Sequence, residues 1–250
     1  MVQPKSGSKA ETPAGERIAK VIARAGICSR RDAEKMIEAG RVVLDGKTLT
    51  SPAINVTPGQ RITVDGKLLP KAMRTRAFRY HKPRGLVTTA RDPQGRPTVF
   101  DALPKELPRV ISIGRLDINS EGLLLLTNDG DLARRLELPS TGWTRRYRVR
   151  LNGTVTDAAL AQLGKGMTVD DIRYDKVKAT LDRKQGDNAW LTMALKEGKN
   201  REIRKLCEHF GWRVNRLIRV AYGPFQLGEL PPGAVDEIPA KVIADQLGAV

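Results

Sequence analysis

Four consecutive leucines, Leu123 to Leu126, place the strongest constraint on the fold. An apolar run of this kind, ending at the turn signal Asn128-Asp129-Gly130, reads as a strand that must be buried. Asn128-Asp129-Gly130 also offers a cap to the following DLARRLEL, whose spacing is helical. Just before the leucines comes GRLDINSEG, which puts the carboxylate of Asp117 close to a core strand. An Asp in such a loop most often ends in a local backbone hydrogen bond, so the pattern alone favours a structural role.

Charge narrows the partner. The chain has 250 residues and a formal net charge of +16, with 40% apolar residues, enough for one large domain or two ordinary ones. Residues 1–75 carry 14 basic and 7 acidic side chains, leaving 30 and 21 for the remainder, so both parts are basic. That distribution suits two surfaces on one polyanion, and nucleic acid is the commonest such partner. A membrane surface is disfavoured: no basic amphipathic segment is evident, and no stretch approaches the roughly 20 apolar residues of a bilayer span. Residues 1–14 are polar, rich in Pro, Gly and Ser, and are expected to form a disordered tail rather than a secretory signal. Cys28, Cys207, His81 and His209 form no zinc-type spacing, so no metal is expected and a reduced, cytoplasmic protein is the plain reading. Cys207 shares helical spacing with Ile203, Leu206 and Phe210, as a core thiol would.

Residues 15–66 read as a compact unit. Ile18, Val21, Ile22 and Ala25 mark a helix stopped by Gly26, and Ser29 with Asp32 form a capping-box start for a second. RVVLDGKTL and QRITVDGKLL read as short strands with Asp-Gly turns. Residues 67–76 are expected to be a linker, and 77–250 a second domain. There, AFRYHKPRGLVTTARDPQGRP suggests a strand, a turn, another strand and a basic loop. TRRYRVRLNG alternates, with Tyr147, Val149 and Leu151 on one face and Arg146, Arg148 and Arg150 on the other. Further strands are expected at DKVKATLD, AWLTMAL and NRLIRVAYGPFQLGEL, and helices at 157–163, 200–210 and PAKVIADQL. The sum is an α+β architecture with a mixed, mostly antiparallel sheet. No glycine-rich phosphate loop occurs, so no nucleotide cofactor is expected.

AGICSRRDAEKMIEAGRV resembles the alpha-L type of small RNA-binding domain. That resemblance implies RNA contacts from Arg30, Arg31, Lys35 and Arg41, which the residues alone read equally well as solvated charge. Where members of that family usually have Val-Asn-Gly-Lys, this chain has Leu44-Asp45-Gly46-Lys47, which puts an acid in the turn.

IGRLDINSEGLLLLTNDG, with YHKPRG, LKEGKNREIRKL and RLIRVAYGPFQLGELPPG, is similar to the bacterial ribosomal RNA pseudouridine synthases, especially those of the large subunit pseudouridine synthase B type. The resemblance covers the chain from about residue 15 to its end. It implies that a uridine is detached from ribose at N1 and rejoined through C5, without cofactor or metal, in 23S rRNA or a pre-ribosomal particle. By resemblance Asp117 is the essential carboxylate and nucleophile. Tyr147 falls on the family's second motif, where a tyrosine stacks on the base and helps remove the C5 proton. Arg204 falls on the third, as the cation that keeps Asp117 ionised with a two-donor grip. Arg115, Lys82 and Arg84 are expected to hold RNA around the extruded base. A monomer is expected. The rival readings are the same reaction on 16S rRNA and a non-catalytic RNA-binding assembly factor; a metal-dependent nuclease is disfavoured, since no acidic or His cluster is evident.

Overall fold

The computed structural model describes residues 15–138 and 141–247 and divides the chain into two compact units between Arg74 and Thr75. The predicted N-terminal tail, residues 1–14, lies outside the described residues.

The smaller unit begins with strand β1 (Glu16–Arg17) and helices α1 (Ile18–Arg24) and α2 (Arg30–Glu38). Ser29 caps α2 as the sequence predicts: its Oγ accepts from the Asp32 backbone N–H at 3.1 Å and donates to the Asp32 carboxylate at 2.6 Å. Strands β2 (Val42–Leu44), β3 (Lys47–Thr48), β4 (Asn55–Val56), β5 (Ile62–Val64) and β6 (Lys67–Leu68) follow. Four of them form an antiparallel sheet in the order β3–β2–β5–β6, while β1 pairs with β4. Asp45-Gly46 and Asp65-Gly66 take positive φ at both positions, the conformation a tight hairpin needs. Ile18, Ile22 and Ile37 are wholly buried under the sheet, each contributing about 1.5–3 kcal/mol. The expected linker at 67–76 starts too early: Lys67 and Leu68 are β6, and Leu69 still bonds the backbone of Ile62. Asp45 has a clear structural job, since its carboxylate accepts from the Arg61 N–H and from Gln60 Nε2, both at 2.8 Å.

The larger unit runs β7 (Ala77–Lys82), β8 (Ile111–Ile113), β9 (Glu121–Thr127), α3 (Gly130–Glu137), β10 (Arg145–Asn152), α4 (Asp157–Lys165), β11 (Met167–Val169), β12 (Ile172–Tyr174), β13 (Lys178–Gln185), β14 (Asn188–Leu195), α5 (Glu202–His209), β15 (Arg213–Tyr222), β16 (Phe225–Gln226), β17 (Val235–Ile238) and α6 (Ala240–Leu247). Nine strands form one sheet, in the order β13–β14–β10–β15–β9–β7–β17, with β16 on β15 and β8 on β9. Every pairing in it is antiparallel except β9 with β15. The leucine run is β9, and its side chains alternate between two cores. Leu123 and Leu125 pack with Leu132, Leu136 and Ile243 from α3 and α6, while Leu124 and Leu126 face Val99, Val110 and Leu116. A strand covered on both faces has no polar side to alternate with, which explains the unbroken leucines.

Gly122 is required here. A Cβ at this position would lie 2.3 Å from the carbonyl oxygen of Arg219, and its φ is +103°. Only glycine lets β9 approach β15 this closely. Asp129 caps α3 through the N–H groups of Asp131 and Leu132. The strand expected after KPRG does not form; the segment makes one isolated bridge, Val87 to Thr98. Side-chain bonding competes with pairing there, since Thr88 is held to Leu116 and Thr98 to Asp101.

Candidate active site

Asp117 sits in the loop that enters β9, and the loop is held by its backbone. Each carbonyl from Arg115 to Ser120 has a donor. Arg219 Nη1 donates to the Arg115 oxygen at 3.4 Å and Thr88 Oγ1 to that of Leu116 at 2.8 Å. The Ser120 N–H reaches the Asp117 oxygen at 2.9 Å and the Gly85 N–H that of Ile118 at 2.8 Å. Arg204 Nη2 donates to the Asn119 oxygen at 2.9 Å. Lys82 Nζ completes the set, donating to the carbonyls of Asp117 at 3.2 Å, Ser120 at 2.9 Å and Pro83 at 3.0 Å. At about 0.5–1.5 kcal/mol net each, these bonds, with the buried Leu116 side chain, together immobilise the loop. The half-buried Asp117 carboxylate, by contrast, makes no hydrogen bond or ion pair with the described residues. It opens on a cavity of about 480 Å³, a size that accepts a nucleotide.

Tyr147 lines the same cavity. It lies on β10 opposite Met193 of β14 and Arg219 of β15, next to a bulge at Arg146/Tyr147. Its half-buried ring packs against both the Val149 core and the Leu124 core, so its position is fixed while one edge stays open. The alternation read from the sequence holds: Arg146, Arg148 and Arg150 are exposed on the other face.

Arg204 comes from α5, whose inner residues Ile203, Leu206 and Cys207 are buried. The Cys207 thiol is pushed up to about 12 by burial, as a core thiol should be. The expected two-donor grip of Arg204 on Asp117 is not formed. Among the described residues no ion pair joins them, and the guanidinium bonds the carbonyls of Asn119 and, at 3.5 Å, Val214. Burial and the charge of Arg201 lower the Arg204 pKa, while the negative charge of Asp117 acts against that. The helix therefore brings the cation near the carboxylate but spends its hydrogen bonds on the loop backbone. Its Nε is buried with no hydrogen-bond partner among the described residues.

Lys82 requires a correction. The sequence pattern marks it as an RNA contact, but it is wholly buried and serves the loop carbonyls. Burial lowers its pKa from 10.5 to about 8, partly offset by Asp117 and Glu121. Arg84 and Arg115 are exposed, Arg115 on the cavity wall. In the smaller unit Arg30, Arg31 and Lys35 are exposed on α2, whereas Arg41 is engaged by Asp65 through two bonds of 2.7 Å.

Three wall residues carry no mark in the sequence pattern. Arg219 is buried, donates to the Leu123 carbonyl at 2.7 Å and stacks over Tyr222 at 5.3 Å. Arg145 lies over the same ring at 4.9 Å. Glu202 is buried, accepts from the Lys199 N–H at 3.0 Å and leaves Oε1 without a partner among the described residues; burial raises its pKa to about 7. Arg219 was detectable in principle, because it shares strand parity with the buried Leu217 and Ala221. Glu202 gives no such signal, since its burial depends on the 196–201 loop folding over it. No three His, Cys, Asp or Glu side chains converge as a metal site among the described residues.

Comparison with known proteins accounts for this arrangement. Residues 77–209 match the RNA pseudouridylate synthase family model, and residues 16–67 match the S4 domain. The chain is 51% identical over 91% of its length to an uncharacterized RNA pseudouridine synthase of Rickettsia felis, covering 99% of that protein. It is 45% identical over 89% of its length to the ribosomal large subunit pseudouridine synthase B of Escherichia coli, covering 79% of that protein. A solved pseudouridylate synthase shares the fold, with a TM-score of 0.64 at 24% identity over 92% of this chain and 99% of the other. The chain belongs to the RNA pseudouridine synthase family. It is an isomerase acting on RNA, with an S4 domain ahead of the catalytic domain.

Proposed function

We propose that the substrate is 23S rRNA of the large ribosomal subunit, alone or in a pre-ribosomal particle, and that Asp117 is the nucleophile. The observation that carries the second claim is the contrast within one loop: six bonded carbonyls and one free carboxylate facing a nucleotide-sized cavity. A nucleophile needs a fixed position and an unoccupied lone pair, and this loop provides both. The 23S assignment is supported by the likeness to the large-subunit synthase B.

In this reading the target uridine leaves its stack and enters between Asp117 and Tyr147. Arg115 stands at the mouth and Arg84 nearby, positioned to hold flanking phosphates. Asp117 takes part as the N1–C1′ bond breaks; the uracil turns, C5 bonds to C1′, the C5 proton is lost and N1 regains one. The isomerisation balances without an oxidant, reductant or energy donor. Tyr147 supports the ring by stacking and assists removal of the C5 proton. Arg204 and Arg219 hold the loop that carries Asp117 through the carbonyls of Asn119 and Arg115. No helix among the described residues is long and apolar enough to cross a membrane; we place the protein in the cytoplasm, as a monomer, with its ribosomal substrate. Incubation with 23S or 16S rRNA tritiated at uridine C5 tests the substrate. Release from 23S alone is expected, and release from 16S alone refutes the assignment.

A further inference from the structure

Behind the catalytic face, the sheet carries a second basic surface that the reaction does not use. Arg146, Arg148 and Arg150 project from β10 on the side opposite Tyr147. In register beside them are Trp190 of β14, opposite Arg150, and Arg183 of β13, opposite Trp190; Arg216 of β15 faces Arg150 from the other side. The inner residues of these strands build the Val149 core; on the outward side, the core capped by α3 and α6 takes in Leu123 and Leu125 of β9 and Ile218 and Tyr222 of β15, but no residue of β13, β14 or β10. This end of the sheet is therefore bare. Two of its cations are neutralised, Arg148 by Asp182 at 3.6 Å and Arg216 by the buried Glu121 at 2.8 Å. Arg146, Arg150 and Arg183 are exposed and have no ion pair among the described residues. Trp190 is half-buried, with the Arg148 guanidinium 5.0 Å from its ring.

We infer that the outward face of β13–β14–β10 is a second RNA-binding surface, which seats an extended single strand of the substrate RNA away from the catalytic cavity. Residues four apart on a strand are roughly 13.6 Å apart, so Arg146 and Arg150 present two unpaired cations along one line of an extended strand, with Arg183 beside them. Trp190, bracketed by Arg150 and Arg183, offers a ring on which an unpaired base can stack. Uncompensated charge of one sign around one aromatic residue suits a polyanion with π-faces better than an acidic protein, which would have no use for the ring.

The inference rests on RNA being the substrate but not on the role of Asp117, so its test reads binding and not turnover. The probe is a 5′-fluorescein-labelled, unstructured 30-nucleotide RNA, titrated by anisotropy against the full chain at several salt concentrations. Arg146→Ala/Arg150→Ala/Arg183→Ala is expected to bind more weakly and to flatten the slope of log K against log salt by about 2, at roughly 0.7 per lost phosphate contact on a single strand. Trp190→Ala is expected to weaken binding about fivefold or more, and Trp190→Phe to restore it, which separates stacking from a folding defect. Wild-type affinity and slope in the triple variant would overturn the inference, since the charges would then be solvated or serve an acidic protein. A flattened slope with Trp190→Ala silent would overturn it too, because phosphates would be attracted without a base being seated.

Discussion

Replacing Lys82 with methionine separates holding the loop from binding RNA. The substitution removes three hydrogen bonds and leaves the carbonyls of Pro83 and Ser120 without a donor, while Asp117 keeps the Ser120 N–H. Each orphaned buried acceptor costs about 1–3 kcal/mol, so roughly 2–6 kcal/mol is lost. Against this, the wild type keeps an ammonium charged at a pKa pulled from 10.5 to about 8, which costs roughly 3 kcal/mol below pH 8. The two effects nearly cancel at neutral pH, so the melting temperature should move by only a few degrees. Activity should not be spared: with the Ser120 end of the loop released, Asp117 loses its position, and a displacement of about 1 Å lowers a rate by roughly 100-fold. The assay is kcat and KM for tritium release, with the melting temperature of the same samples. A fall in kcat at unchanged KM is expected. Normal kcat with a raised KM would return Lys82 to RNA binding and refute this account of the loop.

Other perturbations follow from the same geometry. Glu202→Gln should be more stable than the wild type at pH 8.5 by about 2–3 kcal/mol and equal to it near pH 4.5. The Glu202 pKa is raised from 4.5 to about 7, so stability is lost as pH rises through that window and the amide is exempt; parallel melting curves from pH 4.5 to 8.5 would contradict this. Gly122→Ala drives a methyl group to 2.3 Å from a backbone oxygen at φ +103°, so urea unfolding should show a loss of more than about 3 kcal/mol. Tyr147→Phe should keep RNA affinity within a few-fold, since the ring remains, and reduce kcat about 100-fold if the hydroxyl serves proton removal. An unchanged kcat would limit Tyr147 to stacking.

Elements with local causes were legible in the sequence. The leucine run required a buried strand, Ser29 and Asp129 announced their helices, and two Asp-Gly pairs marked their turns. The features that were misread depend on contacts distant in the chain. Lys82 stands in a basic, proline-containing stretch that looks exposed, and its burial is satisfied by carbonyls 35 and 38 residues away. The spacing of α5 marked Arg204 beside a buried face, but whether its guanidinium bonds a carboxylate or the carbonyl of Asn119 depends on loop geometry that spacing does not encode. The segment after KPRG has strand-forming residues, yet Thr88 is bonded to the Leu116 backbone, so tertiary contacts override propensity.

In the proposed function a backbone-fixed loop presents Asp117 as the nucleophile. Single-turnover tritium release by Asp117→Asn tests it directly, with circular dichroism and RNA affinity measured on the same preparation. Wild-type folding and binding with no release above background are expected. Release at a rate comparable to the wild type would contradict it.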